Sequence, residues 1–184
     1  MKKRILLTSI TAGVVLVGAG VGYRAFAGDR GVALRAELRG LNEVPPTTSR
    51  GSASLRATLD EDAQTISFTI DFRDLTANPT VAHIHFGPTK VNGGVMVFFC
   101  GGGGQDACPA ATTGTITGTI TAASVVGPTG QGVTAGDFAD VARAIRTGNS
   151  YANIHNANFP AGEVRGRVVT LGSSRHDGDD DHDD

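Results

Sequence analysis

The sequence predicts an all-β protein, an antiparallel sandwich or barrel of about eight strands with one short helix. Three observations carry that prediction. Short runs alternate apolar and polar residues with a period of two, Gly- and Pro-containing turns separate them, and a single segment has helical periodicity.

The alternation begins at Leu34-Arg35-Ala36-Glu37-Leu38 and returns at Ser52–Leu59. Asp60 to Ala63 forms a polar turn, and Thr65-Ile66-Ser67-Phe68-Thr69-Ile70-Asp71-Phe72 resumes the period. Ile66, Phe68, Ile70 and Phe72 share one face, and Leu55, Ala57 and Leu59 offer a matching row, so these two runs form a hairpin. Val81–Phe86, Gly93–Phe99, the Thr/Ile-rich Gly114–Ile120, Tyr151–His155 and Val164–Leu171 complete the strand set. Thr134-Ala135-Gly136-Asp137 reads as a capping box. Phe138, Val141, Ala142 and Ile145 then fall at i, i+3, i+4 and i+7, which predicts a helix of about three turns packed over one end of the strands, with Gly148 as its stop.

The ends differ from the body. Residues 1–27 join a basic start (Lys2, Lys3, Arg4) to an uncharged apolar stretch and the small-x-small triplet Ala25-Phe26-Ala27. That pattern reads as a signal peptide, with an uncleaved N-terminal anchor as the alternative. Residues 28–172 form one domain of ordinary size, and the Asp-rich tail 173–184 is expected to be disordered. The body from 28 to 174 is nearly neutral, with 11 basic against 12 acidic residues. It contains no basic stripe for nucleic acid, and no membrane attachment is expected once the leader is cleaved. The expected location is periplasmic or secreted. There, Cys100 and Cys108, the only cysteines, are expected to form a disulfide around Gly101–Gly104; a thiolate metal site is the alternative.

The chemistry concentrates in three histidines. His83 and His85 flank Ile84 in a predicted strand, so both imidazoles point to one side while Ile84 points to the other. His155 lies 70 residues beyond His85 and is the only other histidine in the body. Three neutral imidazoles on one face suit copper, with zinc as the alternative. Asn153, Asn156 and Glu163 are candidates to fix the ring tautomers. Glu163 and Arg165 alternate onto one face with Arg167 beside them, which suggests a cross-strand salt bridge holding the closing strand or, at Arg165, a cation near the metal. Glu43-Val44-Pro45-Pro46 reads as a structural strand end, and Tyr151 as a core ring. No nucleophile elbow, phosphate loop or catalytic carboxylate pair is present.

Gly40-Leu41-Asn42-Glu43-Val44-Pro45-Pro46, Ala82-His83-Ile84-His85, Asn92-Gly93, Tyr151-Ala152-Asn153-Ile154-His155 and Phe159–Gly166 follow one another in that order. Together they resemble the CHRD domain, first described in chordin and common in exported bacterial proteins. A narrower likeness links Ala82–Gly87 and Asn92-Gly93 to the copper strand of copper–zinc superoxide dismutases, which are Greek-key barrels. That likeness implies His83, His85 and His155 as copper ligands and Arg165 as the guide for an anionic substrate such as superoxide. With three body histidines there is no bridging imidazole and no zinc sub-site, so the implied centre is copper-only. The rival readings are a non-catalytic extracellular binding module and a copper storage or delivery protein.

Overall fold

Alternation sets the register of the first strands. In the structure, a computed structural model that describes residues 31–171, β1 (Val32–Arg39), β2 (Ser52–Asp60) and β3 (Thr65–Arg73) form an antiparallel meander. Leu55, Ala57 and Leu59 stand opposite Ile70, Phe68 and Ile66, as the hairpin reading expects. The signal peptide or anchor at 1–27 and the tail at 173–184 lie outside the described residues.

Next come β4 (Pro79–Phe86), β5 (Gly94–Cys100), β6 (Gly114–Thr121), β7 (Ser150–Asn156), β8 (Val164–Arg167) and β9 (Val169–Thr170). The sheet order is β5-β4-β7-β8-β1-β2-β3-β6, with β9 also on β1. β5 and β6 face each other across the seam, so the sheet curls into a nearly closed barrel with β3-β6-β5-β4 in Greek-key order. Its interior is filled by Leu38, Leu55, Leu59, Ile66, Ile70, Ile84, Met96, Ile120 and Ile154.

Two local expectations are corrected. The predicted strand Val164–Leu171 is broken at Val168, whose amide donates to Ser150 O at 3.1 Å while Val169 and Thr170 shift onto β1. The helix α1 spans Phe138–Arg146, and its N-cap is Asp137, which accepts from the Asp140 amide. Thr134 instead begins a turn, with Asp137 N donating to its carbonyl. Gly136 at φ +86° stands in left-handed backbone that cannot be a helical residue, so the cap falls after it. Phe138, Val141, Ala142 and Ile145 are buried, as the stripe requires.

Candidate metal centre

Alternation also divides β4, β7 and β8 between two faces. Ala82, Ile84, Ala152, Ile154 and Val164 enter the core, which turns His83, His85, Tyr151, Asn153, His155 and Arg165 to the outside of the barrel. That outer face is nevertheless buried. His83, His85 and His155 are 7%, 8% and 9% exposed, and Asn153 and Arg165 are 1% exposed. The cover comes from the segments 40–49, 87–93 and 157–162, which reach the face through Glu43, Gly93 and Pro160.

The pairing of β4 with β7 joins the two histidine motifs. His83 stands opposite Asn153 and Val81 opposite His155. The ring centroids of His83 lie 5.1 Å from those of His85 and 4.9 Å from those of His155. One ligand nitrogen from each of the three lies within 4.8 Å of the others. Nitrogens bound to one ion at about 2.0–2.1 Å stand about 3.3–3.5 Å apart, so closure onto an ion asks for side-chain adjustments of about 1 Å.

The hydrogen bonds prepare the rings for that role. His85 donates from Nδ1 to Gly93 O at 2.8 Å, and His155 donates from Nδ1 to Pro160 O at 3.0 Å. Both carbonyls fix the tautomer and leave Nε2 as a bare lone pair. His155 Nε2 and His83 Nδ1 are buried and have no hydrogen-bond partner among the described residues. An unpaired buried acceptor costs about 1–3 kcal/mol, a penalty that a bound cation would relieve. The donor set therefore fits a metal ion.

Burial holds the imidazoles neutral. It pushes His83 down to about 3 and His85 down to about 4, and it lowers His155 as well. The neighbouring imidazoles act in the same direction on His83. Neutral rings at every ordinary pH are the ligating form.

A second layer holds the first. Tyr151 stacks on His85 with centroids 4.8 Å apart and planes within 2°, and its hydroxyl accepts from Gly93 N at 3.1 Å. Gly93 is thus gripped at both its amide and its carbonyl. A Cβ there would lie 1.9 Å from Phe86 O, so only glycine permits the approach. From the β8 side, the Arg165 guanidinium covers the same tyrosine ring at 4.4 Å. Phe98 packs edge-on to His83 at 4.6 Å.

The expected roles of Arg165 and Glu163 are corrected. The salt bridge expected of this strand is made by Arg165, whose Nε donates to Glu43 Oε2 at 2.6 Å with both side chains 2% exposed. Its other nitrogens donate to Thr89 O, Val91 O and Asn92 Oδ1. A guiding cation needs uncompensated charge facing water. Here the charge is neutralised and enclosed, which makes Arg165 a scaffold residue instead. Burial pushes the Glu43 carboxyl up, against the opposing pull of Arg165. Glu163 is fully buried and accepts from Ser49, the Thr76 amide and Asn156, tying the loops together. Asn156 and Glu163 therefore support the loops, while Asn153 is the one that reaches a ligand ring, its Oδ1 lying 3.0 Å from His85 Nε2. The sequence places Glu43 at a strand end and predicts a core ring at Tyr151, and neither expectation reaches the roles they have here. A lone acid beside two prolines was the only sequence signal for Glu43.

Cys100 and Cys108 stand at disulfide distance, with Cα atoms 5.0 Å apart, as expected. Among the described residues, no helix is long and apolar enough to cross a membrane.

Fold and site together define a Greek-key β-barrel domain with a buried three-histidine cluster able to hold a metal ion on its outer face. Residues 34–168 match the CHRD domain, and the chain belongs to that family. No curated protein matches it. No solved structure matches it.

Proposed function

We propose that this CHRD domain is an exported metal protein whose ion is held by His83, His85 and His155. The observation that carries the reading is the pair of pinned rings, His85 and His155, that turn bare Nε2 atoms toward a neighbourhood shared with His83. Copper is the proposed ion, because divalent copper has the highest intrinsic affinity for such nitrogen sites, and zinc is the alternative. Copper in this position would supply one-electron exchange with a small anion, superoxide being the proposed substrate. The protein's own part is to keep the rings neutral, fix their tautomers and limit water at the site.

The test is elemental analysis of the protein exported to a periplasm supplied with copper and zinc, beside a His83→Ala/His85→Ala variant. The expected result is about one copper per chain in the parent and none in the variant, followed by a superoxide assay on the loaded parent. Metal-free parent protein overturns the reading.

A second reading, a binding module, is favoured by one observation. A cleft of about 430 Å³ runs between the cover segments 40–49 and 157–162, walled by Val44, Pro45, Pro46, Phe159 and Pro160. Its size and apolar walls fall within the range of small-molecule sites. A copper storage or delivery role shares the first reading's test and differs only in lacking turnover.

A further inference from the structure

The three rings are not equally ready to hold an ion. His83 Nδ1 and His155 Nε2 are buried without a hydrogen-bond partner among the described residues. His85 differs, because each of its nitrogens has a neighbour within hydrogen-bond distance. Its Nδ1 lies 2.8 Å from Gly93 O, which can only accept, so the neutral ring carries its proton on Nδ1 and accepts at Nε2. The side-chain amide of Asn153 lies 3.0 Å from that Nε2.

One orientation of the amide makes this contact a bond. With the oxygen toward the ring two acceptors repel, whereas the nitrogen in the same position donates to Nε2. That turn breaks no hydrogen bond to Glu43, whose Oε1 has no partner among the described residues. His85 is therefore satisfied at both nitrogens, and Asn153, itself 1% exposed, competes with an ion for its lone pair. Drawing His85 onto an ion breaks a buried hydrogen bond, while His83 and His155 lose none. Ions differ in whether they repay that loss. Monovalent copper is satisfied by two opposed imidazoles, whereas zinc, cobalt and divalent copper take a fuller set of ligands.

We propose that monovalent copper is held by His83 and His155 alone, and that His85 is a reserve ligand, guarded by the Asn153 amide, which only a divalent ion draws in. This rests on the three-histidine reading and adds to it the charge of the ion that each ring serves. Asn153 is not a ligand in either state; it is the group that keeps His85 satisfied until a divalent ion displaces it.

Two probes are titrated into the full chain in competition with chelators: copper(I) under nitrogen, and cobalt(II) with its visible absorption spectrum as the readout of coordination. His85→Phe is expected to bind copper(I) within about twofold of the parent, to bind cobalt about tenfold or more weaker, and to change the cobalt spectrum. His83→Phe and His155→Phe are expected to weaken both ions about tenfold or more. Asn153→Leu, which frees the His85 lone pair, is expected to tighten cobalt about tenfold and leave copper(I) unchanged. Melting curves of the metal-free proteins identify a variant that has not folded. If that variant is His85→Phe, Asn153→Leu decides the matter alone, and cobalt affinity equal to or below the parent's overturns the proposal. Copper(I) weakened as much by His85→Phe as by His83→Phe also overturns it, as does a parent that binds cobalt and no copper(I); both leave the three histidines standing. A parent that binds neither ion overturns the three-histidine reading as well.

Discussion

A buried guanidinium with four partners is stable only as a set, because removing any one strands the others. Arg165 and Glu43 lie 122 residues apart in sequence, and each is 2% exposed at its side chain. Replacing Arg165 by Met leaves the Glu43 carboxylate buried without its charge partner, which is expected to destabilise the fold by about 3–5 kcal/mol. Adding Glu43→Gln should recover part of that loss. Urea unfolding of the three proteins measures both effects, and a single variant within 1 kcal/mol of the parent would refute the ion pair's importance. Arg165 was visible in the sequence as a candidate, yet its partner was not. The period of two predicts a cross-strand bridge at Arg165 without naming its partner, and the first loop delivers Glu43 from the other end of the chain.

Elements position the site through two rules of different reach. The period of two places His83 and His85 together, which the sequence makes legible, and it also places Tyr151 with Asn153 and His155, which the expectation of a core ring at Tyr151 missed. The pairing of β4 with β7, which joins them, has no local signal. The loop after β5 adds a clamp. Gly102 and Gly103 lie so close to Phe98 that a Cβ on either would fall 2.6 Å from its ring, and Phe98 in turn flanks His83. Replacing both Cys100 and Cys108 by Ser opens a short loop, with an expected loss of about 2–3 kcal/mol in urea unfolding. Because the loop touches the ligand ring through Phe98, the same variant should bind metal more weakly than the parent but more tightly than His83→Ala. Unchanged affinity would show that the clamp serves stability alone.

At the scale of the whole molecule, the three neutral histidines couple folding to pH. Unfolded, each titrates near 6.5; folded, His83 and His85 titrate near 3 and near 4. Between those values the unfolded chain binds more protons, so stability rises with pH there and is fully present above about 6.5. Acidification from pH 7 to pH 4 is therefore expected to lower the melting temperature of the metal-free protein progressively, with His83→Phe and His155→Phe variants showing a shallower dependence. A melting temperature flat from pH 7 to pH 4 would contradict the buried neutral cluster. Bound metal should add stability at neutral pH, and that increment should vanish on acidification, since protons compete for the same nitrogens.

Local chemistry alone determined most of the strands, the helix stripe, the cysteine pair, the three candidate ligand histidines and the CHRD motifs, because each is written in spacing over a few residues. Tertiary structure decided what surrounds them. It chose Asp137 over Thr134 as the cap, broke the last strand at Val168, gave Arg165 to Glu43, and set Tyr151 and Asn153 against His85. The cap turns on the left-handed backbone of Gly136; the other outcomes depend on strand pairing and loop cover between residues more than ten to over a hundred positions apart, where periodicity carries no information. Burial, which makes the histidines neutral and their lone pairs available, arises only once the three loops close over the outer face of the barrel.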